Sequence, residues 1–177
     1  MRQVGATHRH KVIELLSERL AFERAAVNLY QAVLGRLAGR GGPYESVKAH
    51  LRHICEEEKE HQEWLEGQLA ALGDDGTPVG VLRIQGELRG MEEAVSGELE
   101  PAQLFRALLD AEAADNAGWE LLAELAERAQ DEEARDAFQQ RLHEEQEHFL
   151  FASHIAAVFA SSEILDETVT TLEDASA

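Results

Sequence analysis

Cysteine occurs once in this chain, at Cys55. An intramolecular disulfide is therefore excluded, and so is a four-cysteine zinc or iron site built within the chain. Only three prolines occur, Pro43, Pro78 and Pro101, and each lies near a predicted helix start. Aromatic residues make up 6%, and no run of alternating β-branched residues is long enough to predict a sheet. Lys and Arg together number 16 against 35 Asp and Glu, for a net charge of −19. Phosphate recognition needs clustered basic residues, so nucleic acid is not an expected partner. No uninterrupted apolar run approaches the ~18 residues of a membrane span. The segment MRQVGATHRHK has no apolar core of the kind a secretory leader needs. No membrane association is expected, and the cytoplasm is the expected location.

The 177 residues, 44% of them hydrophobic, suffice for one domain with a sizeable core. Stretches rich in Ala, Leu, Glu, Arg and Gln favour helix, so the expected class is all-α. Apolar residues recur at steps of three and four in four long segments. The first, residues 7–38, has the seam Ile13, Leu16, Leu20, Val27, Tyr30, Leu34 and Leu37. GRGGP at 39–43 then breaks the helix. The second, 44–72, has Val47, Leu51, Ile54, Leu65, Leu69 and Leu72, and ends at Gly73-Asp74-Asp75-Gly76. The third, 101–129, has Phe105, Leu108, Trp119, Leu122 and Ala126. The fourth follows Asp131, a plausible N-cap, and runs to 161 with Ala134, Phe138, Ala152, Ile155 and Phe159. Residues 73–100 form a crossover in which Thr77-Pro78 reads as a helix start and 79–95 as a short helix. Residues 1–161 are thus expected to form one bundle and 162–177 an acidic tail. Ile164, Leu165, Val169 and Leu172 leave a short docked helix and a frayed end equally open for that tail.

Each seam is interrupted at its middle by polar residues: Glu23, then Glu58 and His61, then Glu112 and Asp115, then Glu145 and His148. A carboxylate and an imidazole three residues apart share one helical face and can reach one point. Buried charge is costly unless paired or bound to a metal. With 8 histidines in so acidic a chain, one Glu-x-x-His would be expected from composition alone. The weight lies in the conjunction across four seams. Each interruption falls mid-way along a helix of about 30 residues, or ~45 Å, so all reach one level of a bundle. The halves also correspond. Glu112 follows Glu23, and Trp119 follows Tyr30, at one offset; Glu145 follows Glu58, and His148 follows His61, at a second, slightly shorter one. This reads as a duplicated helical hairpin. Four carboxylates balance the charge of two divalent ions, which carboxylates can bridge at about 3.5–4 Å. One imidazole per ion favours iron or manganese over calcium or magnesium. Zinc accepts the same ligands but has no redox chemistry.

With ERAAVNLY, EEEKEHQEWL, AEAADNAGWELL and EEQEHFLF on successive helices, residues 10–160 resemble the ferritin-like superfamily, and within it the rubrerythrin and bacterioferritin branch. That resemblance implies an antiparallel four-helix bundle and a dimetal site, with Glu23, Glu58, His61, Glu112, Glu145 and His148 as ligands. The implied cofactor is two iron ions, with manganese as the alternative. Asp115, one turn beyond Glu112, is either an extra ligand or a partner of one, and it is a methylene shorter than the glutamate usual there. The implied function is a dinuclear oxidoreductase acting on peroxide or dioxygen, peroxide reduction first. Alternatives are a ferroxidase or iron-storage protein, an oxygenase acting on an organic substrate, a manganese catalase-like protein, and a non-catalytic helical interaction domain. Tyr30 is the candidate catalytic residue, able to hydrogen-bond a ligand or supply a proton or electron. The usual Cys-rich electron-transfer domain is missing, so a separate electron donor is expected. Met91 is the only internal methionine, which argues against haem. The crossover and tail have no clear place in a closed cage, so a homodimer is expected.

Some residues are expected to stay outside this chemistry. Trp119 reads as core packing near the metals, and Cys55 as a partly buried bystander. Glu56, Glu57, Glu60, Glu144 and Glu147 read as solvated helix faces. His53, His143 and His154 do not repeat between the halves and read as surface residues or as neighbours of the ligands.

Overall fold

The computed structural model describes residues 2–74, 85–165 and 169, with the side chains of its first helix from His8 onward. Among these residues the order is α1 (Arg2–Arg36), α2 (Tyr44–Ala71), α3 (Gln85–Ser96), α4 (Pro101–Arg128) and α5 (Glu132–Leu165). The all-α expectation holds, as does an antiparallel bundle of four long helices plus one short crossover helix. Two boundaries differ. The first helix begins at Arg2 and is interrupted by non-helical dihedrals at His8; the terminal segment has no apolar periodicity to announce it. α5 continues past Ser161 to Leu165. α3 is described as Gln85–Ser96, and the expected Thr77-Pro78 start, like most of the tail, lies outside the described residues; Val169 packs against the core.

The ends have local causes. Gly39 and Gly42, in the α1–α2 turn, take φ of 78° and 65°, which a side chain would disfavour. Lys48 donates to the Arg40 carbonyl at 2.8 Å and ties that turn to α2. Glu100 and Gln103 form a capping box before Pro101. The Asp131 carboxylate accepts the Ala134 N–H at 3.2 Å, as its N-cap position requires.

α1 packs on α2 and α4 on α5, with α1–α4 and α2–α5 contacts joining the hairpins. The four long helices are antiparallel to their long-helix neighbours, whereas α3 runs alongside α1 in the same direction. α3 lies across α1 and α4, which is why Phe22, Leu29 and Val33 are buried beside the expected α1 seam. α5 contains an 18-residue stretch with mean hydropathy of 1.3, long and apolar enough to span a membrane by composition. Ala152, Ile155, Ala156 and Phe159 on this helix are buried in the bundle core.

The apolar core is two clusters rather than one. The first joins the C-terminal half of α1 and the N-terminal half of α2 to Phe105, Leu108, Ile155 and Phe159. The second joins Ile13, Leu16 and Leu20 to Leu65, Leu69, Trp119 and Phe138. The polar interruptions of the four seams lie between them. Two separated clusters should respond independently to small cavities. Ile155→Val and Ile13→Val are each expected to cost about 0.5–1.5 kcal/mol, and the double variant their sum within about 0.5 kcal/mol. Urea denaturation checks this, and strong coupling would mean one continuous core.

Candidate metal centre

The middle of the bundle carries seven ionisable side chains in one layer. Glu23, Glu58, His61, Glu112, Asp115, Glu145 and His148 are each at most 2% exposed. The structure brings six of them together as two overlapping groups. Ligand atoms of Glu23, Glu58, His61 and Glu145 lie within 4.8 Å of one another, as do those of Glu58, Glu112, Glu145 and His148. Glu58 and Glu145 belong to both.

Contacts in one group recur in the other. His61 Nδ1 lies 2.8 Å from Glu145 and 3.8 Å from Glu23 Oε2. His148 Nδ1 lies 3.2 Å from Glu58 and 3.8 Å from Glu112 Oε2. The outward nitrogens are matched too. His61 Nε2 meets Glu144 at 2.8 Å and His148 Nε2 meets Glu57 at 3.0 Å. Glu57 and Glu144, expected to be solvated, are therefore half-buried partners of the imidazoles. Each stands one residue before a glutamate of the cluster, at the edge of the α2–α5 face. Glu56, Glu60 and Glu147 are exposed as expected. His53 and His143 are also exposed, and His154 is half-buried on α5. Cys55 is buried in the first apolar cluster.

The symmetry ends at Glu23 and Glu112. Tyr30 donates its hydroxyl hydrogen to Glu112 Oε1 at 2.7 Å. Trp119 occupies the corresponding place in the other half, packs edge-on against His61 at 5.5 Å between ring centroids, and makes no hydrogen bond through Nε1. Glu23 is engaged instead by Arg19, whose Nε lies 3.0 Å from Oε1. The same guanidinium reaches Asp115 Oδ1 at 3.1 Å and the Asp115 carbonyl at 3.3 Å. Asp115 is thus an ion-pair partner beside the cluster and belongs to neither ligand group. Sequence reasoning missed Arg19. Its signals were position, one turn before Glu23, and Gly118 inside an otherwise strong helix former. A Cβ at Gly118 would lie 1.9 Å from Arg19 Nη1.

Burial sets the proton affinities. It raises Glu58 well above the ordinary carboxylate range, and the neighbouring Glu145 and Glu23 charges raise it further. Glu112 rises to about 8 through burial and the charge of Glu145, against the opposing pull of His148 and Tyr30. Burial would raise Glu145 too, but hydrogen bonds and charge from His148 and His61 bring it down to about 2. Burial opposes a charged His148, yet Glu145 and its neighbours raise it to about 9. Tyr30 is pushed well above its usual value by burial and by Glu112. Protons and imidazolium charge therefore make up the deficit of positive charge in the layer.

The residues fit a metal. Both oxygens of Glu58 and Glu145, one oxygen of Glu112 and both Nδ1 atoms are buried without a hydrogen bond of good geometry. Each imidazole can give its Nε2 proton to a carboxylate and turn the Nδ1 lone pair inward, as metal-bound histidines do. A buried cluster of Glu and His in this arrangement is compatible with a di-iron site.

No curated protein and no solved structure matched the chain. A family model described as a ferritin-like domain matches residues 13–160. That span contains every residue of the cluster and most of each long helix, so the chain belongs to the ferritin-like family.

Proposed function

We propose that this protein is a dinuclear iron or manganese carboxylate oxidoreductase that reduces peroxide, with dioxygen as the alternative oxidant. The observation that carries this reading is the pair of ligand groups sharing Glu58 and Glu145. Those two carboxylates would bridge the ions. Glu23 and His61 would complete one position, Glu112 and His148 the other. Two redox-active ions held there would supply the electron pair that peroxide requires. Peroxide takes two electrons and two protons to give two waters, and the electrons must come from a separate donor.

The chain's own residues do the positioning. Tyr30 keeps its proton at neutral pH and holds Glu112 Oε1, which leaves Oε2 aimed at the cluster. Glu57 and Glu144 orient the imidazoles and, being half-exposed, link their Nε2 protons to solvent. Asp115, turned to Arg19, serves better as a charge partner than as a further ligand. The cleft beside Arg19 measures about 140 Å³, but the adjoining groove lined by Phe22, Met91 and Ala111 measures about 430 Å³, within the ~300–1,000 Å³ usual for organic ligands. The preference for peroxide therefore rests on the ligand groups and not on the space available.

Two outcomes follow from this reading. Glu112, raised from 4.5 to about 8, binds more protons folded than unfolded over that interval. His148, raised from 6.5 to about 9, does the same over its own. Both stabilise the fold at low pH and lose that contribution as pH rises through the folded values, so the metal-free protein should become less stable between about pH 5 and 9. Metal displaces those protons. With Mn²⁺ present, thermal melts should show the decline abolished and binding should release protons; an identical decline with and without Mn²⁺ would contradict the site. The second outcome concerns turnover. The iron-loaded protein should consume peroxide beyond about one equivalent per chain only when a reductant is supplied, and Glu58→Gln should slow that turnover at least about 100-fold. Oxygen release from peroxide without reductant would point to dismutation instead.

A further inference from the structure

Beyond the exchange of Tyr30 for Trp119, the duplication that makes the two ligand groups alike fails around Glu23, at three positions together. Arg19, Asp115 and Gly118 surround Glu23. By the correspondence that pairs Glu23 with Glu112, the matching residues around Glu112 are Leu108, Ala26 and Leu29. Leu108 and Leu29 are fully buried and Ala26 nearly so. One half of the layer thus has a guanidinium, its counter-carboxylate and a notch for the guanidinium, where the other half has two leucines and an alanine.

The geometry gives the charge a direction. Arg19 is 6% exposed and keeps its charge at any working pH. It touches Glu23 Oε1 at 3.0 Å, while the corresponding oxygen of Glu112 receives only the neutral Tyr30 hydroxyl at 2.7 Å. Charged donors bind a carboxylate roughly twice as strongly as neutral ones, and a buried positive charge repels a cation beyond that carboxylate. Asp115 Oδ1 holds the far side of the guanidinium at 3.1 Å; its charge is felt by Glu23, Glu58 and Glu112, but within the pair it is Arg19 that touches a ligand carboxylate. Gly118 admits the guanidinium: any Cβ there meets Nη1 at 1.9 Å. A glycine inside a helix costs up to about 1 kcal/mol relative to alanine, and the room it leaves for Arg19 accounts for its presence.

We propose that Arg19 is a positioning residue that makes the two metal positions unequal, so that the Glu23–His61 position holds a divalent cation more weakly than the Glu112–His148 position. The proposal rests on the dinuclear reading above. An unequal pair loads in order, the Glu112–His148 position first, and leaves the second ion the more exchangeable.

Single-position variants separate the two halves. Co²⁺ is the probe, titrated anaerobically into the full chain and followed by its ligand-field absorption. His61→Ala leaves the Glu112–His148 position intact, and His148→Ala leaves the Glu23–His61 position intact. The first is expected to bind its ion about 10–100-fold more tightly than the second, the range typical of residues that orient metal ligands. Adding Arg19→Gln to His148→Ala should close most of that gap, and Arg19→Lys, which keeps the charge, should leave much of it. If Arg19→Gln does not fold, Arg19→Leu with Asp115→Ala and Gly118→Leu copies the apolar layout of the other half and serves in its place. Equal affinities in the two histidine variants, or a gap that survives removal of Arg19, overturn the proposal. Fewer than two Co²⁺ per wild-type chain would instead overturn the dinuclear reading itself.

Discussion

The cost of burying charge governs this molecule. Five carboxylates, Glu23, Glu58, Glu112, Asp115 and Glu145, stand in one layer that water does not reach. Among the described residues, Arg19 is the arginine or lysine that ion-pairs within the layer. Five negative charges against one positive leave four, the charge of two divalent ions. Without metal the same deficit falls to protons. Glu112 and His148 hold theirs up to about 8 and 9, while Glu145, with both imidazoles on it, stays ionised down to about 2. A removed partner in such a layer leaves an uncompensated buried charge, which is far costlier than replacing the whole set by apolar groups.

The fold can be read as the apparatus that makes this layer tolerable. Each long helix carries apolar turns on both sides of its ligands, and these collect into two clusters that close the layer from each end. The imidazoles are fixed from the α2–α5 side by Glu57 and Glu144. The carboxylates of α1 and α4 are fixed from the opposite side by Arg19 and Tyr30. The crossover returns the chain along the bundle so that the second hairpin can meet the first in antiparallel register, and α3 uses that passage to cover α1 and α4.

Much of this was legible in the sequence because the bundle is periodic and the site interrupts the period. Glu23 or His61 in an apolar seam is conspicuous, and the equal spacing of Tyr30 and Trp119 from their glutamates exposes the duplication. What stayed hidden depends on side chains crossing between helices. Glu57 and Glu144 look like any other solvated glutamate until the His ring of the opposite helix is placed against them. Arg19 looks like an edge residue of α1 until Gly118 of α4 opens room for it. The helical start near Arg2 was illegible for another reason: a terminal turn with no apolar repeat has nothing for periodicity to detect. Fold therefore follows from pattern along each helix, whereas the hydrogen bonds that tune the cluster follow from pairings between helices that no single segment encodes.

The most direct test of the layer as a two-ion site is an anomalous difference map from a crystal of the full chain soaked in Mn²⁺. The account predicts two peaks per chain about 3.5–4 Å apart, with Glu58 and Glu145 between them, His61 against one and His148 against the other. A single peak, or two peaks elsewhere on the acidic surface with the layer still held together by its own protons, would contradict it.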